Sequence, residues 1–151
     1  MIVQDSGARV ALVAPSFGRE AAAPVDRFAF DYATHLALAG MNIEVLATCA
    51  RSSDAEASPN YFRAGFDGSE PFPIFRFRAE EGDRAAYRAA LTGRERGEPV
   101  DEGALVDERA RSPQLLAHLR TVAERYDAFI FLGLSAATTV RGVPIVEERA
   151  A

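Results

Sequence analysis

Few residues in this chain have the type and spacing to do chemistry. The stretch Ser16–Pro24, SFGREAAAP, follows an apolar run and precedes a helical pattern. Its free amides and the dipole of the following helix suit a phosphate or a sugar oxygen. It lacks the GxGxxG spacing of a dinucleotide site, which argues against NAD or FAD, and no cofactor is expected. The plainer alternative is that Gly18 only turns the chain, and both readings stand. His35 and His118 have no second His or Cys at ligand spacing, so they read as solvated surface residues rather than metal ligands. Cys49 is alone, which excludes an internal disulfide and a multi-cysteine metal site, and it reads as a buried small side chain. Ser135 sits in GLSAA without the second glycine of a nucleophile elbow. Thr138 and Thr139 read as residues that satisfy backbone groups. Glu147 and Glu148 form no acid/base pair, and Asp5 lacks the acidic neighbours of a phospho-acceptor pocket. All 17 basic residues other than histidine are arginines, so lysine Schiff-base chemistry and a lysine-bearing phosphate loop are excluded. No catalytic residue can be named.

The elements that would position these residues alternate. Arg9–Ser16 (RVALVAPS) and Ile43–Cys49 are Val- and Leu-rich runs of the kind that parallel strands buried on both faces show. Between them, Val25, Phe28, Ala29, Tyr32, Ala33, Leu36 and Ala39 fall at helical spacing, with Asp26, Arg27, Asp31 and His35 elsewhere. Gly40 stands where a helix end favours positive φ. The result is a βαβ unit. Residues 51–72 read as a long polar loop. Pro73–Ala79 alternates, with Phe75 and Phe77 on one face and Arg76 and Arg78 on the other, as a half-buried strand does. Two short helices are expected near Asp83–Leu91 and Asp101–Ala110. Ser112-Pro113 is a cap followed by a first-turn proline, opening a helix with Leu115, Leu116, Leu119, Val122, Ala123 and Tyr126 on its apolar face. Ala128–Leu132 reads as a strand, Gly133–Arg141 as a turn and short helix, and Gly142–Glu147 (GVPIVE) as a final strand after which the chain stops.

This order predicts a single α/β domain over residues 1–151, a doubly wound parallel sheet in three α/β/α layers with right-handed crossovers. Ligands of such sheets lie beyond the carboxyl ends of the strands, where the strand order reverses. The candidate rim is Ser16–Pro24, Cys49–Ser53, Gly133–Thr139 and Glu147. With 48% hydrophobic and 26% charged residues the chain is neither disordered nor membrane-embedded by composition, and no apolar run reaches the roughly 18–20 residues a bilayer requires. Arginines scattered among acids in a chain of net charge −5 leave no nucleic-acid footprint. Met1–Gly7 lacks the pattern of a secretory signal, so a cytoplasmic location is expected by default.

Three stretches resemble the N-terminal Rossmann-like domain of family 4 retaining glycosyltransferases of the GT-B fold. They are RVALVAPSFGRE with FAFDYATHLALAGMNIEVLATCAR, then PIFRFRAEEGDR, then SPQLLAHLRTVAERYDAFIFLGLSAATTVRGVPIV. The first looks like the family's strand, Gly-containing loop, helix and strand ending in Thr-x-Cys-Ala-Arg. The last looks like its helix, Tyr-Asp strand entry and short helix ending in Gly-x-Pro. Where the family loop carries adjacent glycines, this chain has Ala22-Ala23-Pro24, which stiffens and crowds the approach of a substrate. The resemblance implies acceptor-side recognition, with Ser16, Phe17, Gly18, Ala22, Ala23, Gly133 and Ser135 as acceptor or phosphate contacts. It also implies that the donor-binding, glutamate-bearing C-terminal domain is absent, so that a nucleotide sugar and acceptor are partners only in a full-length context and this chain alone transfers no sugar. The rival expectation is a non-catalytic binding module that self-associates through an uncovered sheet edge.

Overall fold

A computed structural model of the chain describes residues 7–20, 24–51, 60–106 and 110–150. Its elements are β1 (Arg9–Ala14), α1 (Pro24–Leu38), β2 (Asn42–Thr48), β3 (Gly65–Asp67), β4 (Ile74–Phe77), α2 (Arg84–Glu95), α3 (Pro113–Val122), β5 (Ala128–Phe131) and α4 (Ala137–Ala150). One five-stranded sheet runs in the order β3-β4-β2-β1-β5. The pairs β4–β2, β2–β1 and β1–β5 are parallel, and β3 is antiparallel to β4. The architecture is α/β and Rossmann-like. The strand Gly65–Asp67 lies inside what the sequence suggests is only loop, and it makes the sheet mixed rather than wholly parallel.

Side-chain alternation along β1 divides the core in two. Leu12 and Ala14 pack with Phe17, Ala29, Ala33, Val45, Phe72 and Ile74, the cluster beneath α1. Ala11 and Val13 point the other way and join Leu46, Leu115, Leu119, Ile145 and Val146 beneath α3 and α4. A strand covered on both sides can be apolar at every position, and Ala11–Ala14 are all fully buried. Helix α1 ends as its glycine predicts. Gly40 has φ 82°, the Gly40 amide donates to Ala37 and the Met41 amide to Leu36, the paired bonds of a left-handed helix stop. The stripe expected on α1 is only partly apolar inward, since Phe28 and Val25 lie about half exposed while Asp26 is buried.

The Ser112 hydroxyl accepts from the Leu115 amide and donates to the Arg78 carbonyl, so one residue caps α3 and fastens it to the end of β4. The opposite end of the sheet is closed by the Tyr126–Asp127 entry to β5. The Asp127 carboxylate accepts from the Arg9 amide at 2.7 Å, and Tyr126 Oη donates to Glu44, which also accepts from Arg9 Nη2. Burial, then the bond to Glu44, pushes the Tyr126 phenol far above its ordinary range.

The C-terminal segment differs in kind from expectation. Gly142–Glu147 is not a strand but the middle of helix α4, with Pro144 inside it. Glu147 is therefore an exposed helix residue and not part of the strand rim. Gly and Pro disfavour helix and Val and Ile favour sheet, so the local sequence suggests a strand there. Tertiary packing overrides that preference. Thr138, Thr139, Gly142, Ile145 and Val146 recur at helical spacing and are all buried against the sheet and α3. A Cβ on Gly142 would lie 2.7 Å from Phe131 Cε1 and 3.2 Å from Leu119 Cδ1, so the glycine lets α4 sit close on β5.

Candidate functional site

From β1 the chain steps outward to β2 and β4 on one side and to β5 on the other, so strand order reverses between β1 and β5. This is the switch point at which a Rossmann-like sheet opens a crevice. Two of the loops singled out from the sequence meet there. Gly133 has φ 84°, and a Cβ added to it would lie 3.6 Å from Pro15 Cγ and 3.3 Å from Ala136 Cβ, so the turn after β5 rests against the exit of β1. Ser135 is exposed beside it, and Leu134 is 91% exposed.

The other candidates sit differently. Ser16 and Phe17 are buried, and their side chains serve the interior. Phe17 packs with Phe30 and Phe72 beneath α1. The Ser16 hydroxyl donates to the Asp26 carboxylate in the first turn of α1, tying the exit of β1 to the helix start, where the dipole favours an acid. Sequence periodicity places Asp26 off the apolar stripe, yet it is 2% exposed. Gly18 is covered by Phe62, whose ring tip would stand 3.0 Å from an added Cβ. Ala22 and Ala23 lie outside the described residues, as does part of the Cys49–Ser53 rim.

Beside Gly18 lies a cleft of about 430 Å³, walled by Arg19, Glu20, Phe62, Asp67, Glu70 and Arg76. Its polar groups are cross-linked. Arg19 donates Nε and Nη2 to the two Glu70 oxygens at 2.6 and 2.8 Å, and Tyr61 Oη donates to Glu20 at 2.8 Å. Arg76 is the floor. Its Nη1 donates to the Phe17 carbonyl at 2.7 Å, its Nε and Nη2 reach Asp67 at 3.3 Å, and its guanidinium lies 3.9 Å from the Phe62 ring centre. Burial pushes the Arg76 guanidinium down, against the pull of Asp67. Hydrogen bonds from Ser69, aided by Arg76, hold the Asp67 carboxyl below its ordinary value.

The alternation of Pro73–Ala79 is thus real, with Phe75 and Phe77 on one face and Arg76 on the other, but the face of Arg76 is the more buried one. Arg76 shares the face of Ile74 and is 5% exposed, while Phe75 and Phe77 are partly covered by α3. His118 is not a solvated residue either. It lies 4.9 Å from the Phe77 ring, and burial pushes its imidazole below the ordinary histidine value, with Arg125 adding to the effect. Cys49 is buried as expected, and burial raises its thiol. Among the described residues no three His, Cys, Asp or Glu side chains stand close enough to hold a metal ion, and no described helix is long and apolar enough to cross a membrane.

Sequence reasoning missed Asp26, Phe62 and Arg76. The only available signal was an acid in the first turn of α1 and an arginine within an apolar strand. Comparison of the chain with protein-family models, curated proteins and solved structures finds no match.

Proposed function

We propose that this chain is an acceptor-side domain of a glycosyltransferase of the GT-B kind, binding a hydroxyl-rich acceptor rather than carrying out transfer by itself. The observation that carries the reading is the cleft beside Gly18. It joins three carboxylates, two guanidiniums and the aromatic side chain of Phe62 at the carboxyl end of β1. Sugars are bound by such mixtures, since each hydroxyl needs both a donor and an acceptor while the pyranose face needs an apolar surface. Arg19 is 70% exposed, so solvent screens its pairing with Glu70 and the pair yields readily to a ligand hydroxyl. The order of the segments that resemble family 4 transferases supports the same assignment. Transfer between sugars calls for a closed, water-excluding cleft that neutralises a departing diphosphate. No described residue constellation offers that.

The test has two arms. Amide spectra of the labelled chain titrated with mono- and disaccharides should shift at Gly18, Arg19, Glu20 and Ser69, and Glu70→Gln should weaken that binding. Incubation with a radiolabelled nucleotide sugar and the same saccharides should give no product. Shifts confined to other faces, or product formation by this chain, would overturn the reading.

A second reading, a Rossmann-like module that self-associates, is favoured by β5. Among the described residues this strand pairs only with β1, and its residues 129–131 are partly exposed next to the fully presented Leu134. An unpaired edge of that kind is a template for another strand. Light scattering across a concentration series separates the two. A dimer that ignores saccharides supports the module, and a monomer that binds them excludes it.

A further inference from the structure

The cleft beside Gly18 does not end at Asp67. A second concavity of about 480 Å³ adjoins it, and Phe62, Asp67 and Arg76 line both. The residues peculiar to the second are Arg63, Ala64, Phe66 and Gly68, from β3 and its flanks. Each hollow by itself has the size of a small-molecule site. The pairing of β3 accounts for the second one. This strand is an edge of the sheet and pairs only with β4 among the described residues, so its outward peptide groups have no strand to bond. Asp67 stands opposite Ile74 and so shares the face of Arg76, while Phe66 stands opposite Phe75. A Cβ on Gly65 would meet no atom within 4 Å, so the strand's rim is open.

The groups around the second hollow are of the same mixed kind as those of the first. Arg63 is exposed and makes no ion pair or hydrogen bond among the described residues, so its donors are available. Phe66 is 69% exposed, and its ring rests on Phe75 with 5.6 Å between centres. Phe62 and Phe66 border one hollow, so its apolar surface is continuous rather than scattered. Asp67 stands at the junction. Its Oδ1 accepts from the Ser69 amide at 3.0 Å and its Oδ2 from Arg76 at 3.3 Å. A carboxylate accepts about four hydrogen bonds, and this side chain is 31% exposed, so accepting capacity remains open to solvent. Arg76 is committed to the Phe17 carbonyl and Asp67 and serves only as the shared floor.

We propose that the ligand of this face is an oligosaccharide of at least two rings, one beside Gly18 and the next beside Arg63 and Phe66, with Asp67 accepting hydroxyls where the two hollows meet. The inference rests on the reading of the cleft as an acceptor site and adds the length of the acceptor to it. A single sugar would fill one hollow and leave the other to water. A second ring gains the Arg63 donors, the apolar border and the free peptide groups of the β3 edge.

The experiment is a titration of the labelled chain, followed by amide spectra, with glucose, maltose and maltotriose and with the α-linked mannose series in parallel. In one series the disaccharide should bind at least about tenfold tighter than its monosaccharide. Its amide shifts should extend from Gly18 and Arg19 to Arg63, Ala64 and Gly68. Arg63→Ala combined with Phe66→Ala changes two exposed side chains and should remove most of the disaccharide's advantage, with the fold checked by circular dichroism. The unaltered chain decides the matter by itself if that variant does not fold. Equal affinities for one and two rings, with shifts confined to the Gly18 side, would overturn the inference and leave the acceptor reading standing. Absence of shifts with every saccharide would overturn both.

Discussion

Replacing Arg76 with methionine removes the charge from the floor of the cleft while keeping most of the buried stem. Three contacts go with it. The Phe17 carbonyl loses a donor at 2.7 Å, Asp67 loses two contacts at 3.3 Å, and the Phe62 ring loses a cation 3.9 Å from its centre. An interior carbonyl deprived of its partner costs about 1–3 kcal/mol, and the ring contact adds about 1 kcal/mol. Against this stands the relief of desolvating a guanidinium that is 5% exposed, which recovers part of the loss. Asp67 is a small item, since its side chain is 31% exposed and rehydrates. The net expectation is a destabilisation of about 2 kcal/mol, or roughly 4–8 °C in Tm for a domain of this size.

Thermal melts followed by circular dichroism, with urea titration at 25 °C, read this directly. The pH dependence is the sharper signature. The Asp67 carboxyl is held low in the folded state, so its stabilisation is complete above the ordinary carboxylate pKa of about 4 and fades as pH falls through the folded value. Arg76 contributes to that lowering, so the deficit of Arg76→Met should narrow below about pH 4. Arg76→Lys should recover only part of the loss, because an ammonium cannot fork between a carbonyl and a carboxylate. A methionine variant as stable as the native chain would refute the reasoning and show the buried charge to be a net burden.

Three further outcomes follow from the packing. Pro144 is exposed inside α4, so Pro144→Ala should restore a helix hydrogen bond and raise stability by about 1–2 kcal/mol, read as a higher Tm; a lower Tm would argue against the helix. Gly142→Ala should do the reverse. The roughly 1 kcal/mol gained in helix preference is outweighed by an intrusion 2.7 Å from Phe131, for a net loss of about 1 kcal/mol in urea titration. His118 is depressed by burial, so its neutral form is the one the fold accommodates. Stability should be full above the unfolded pKa of about 6.5 and decline as pH falls below it, and His118→Gln should flatten that decline in melts run from pH 7.5 to 5.

The cleft beside Gly18 and the start of α4 lie on different layers of one sheet. Arg76 and Phe62 belong to the α1 side, and Thr138 and Arg141 to the α3–α4 side. The loops after β1 and β5 meet at Pro15 and Gly133 between them.

The sequence by itself determined the strands whose residues are apolar without a break. Ala11–Ala14 and Val45–Ala47 needed no partner to be recognised, because a position covered on both faces tolerates such a run. It also determined the local stops, since Gly40 and Ser112 act through bonds to their near neighbours and the backbone. What lay beyond its reach were choices made by contacts distant in the chain. The fate of residues 142–147 rested on whether Gly142 would meet Phe131 and Leu119, and that contact outweighed the poor helix propensity of Gly and Pro and the strand preference of Val and Ile. The burial of Arg76 and Asp26 was hidden for the same reason. A charged side chain goes inside only when partners from other segments, here the Phe17 carbonyl and the Ser16 hydroxyl, are brought to it by the folded sheet.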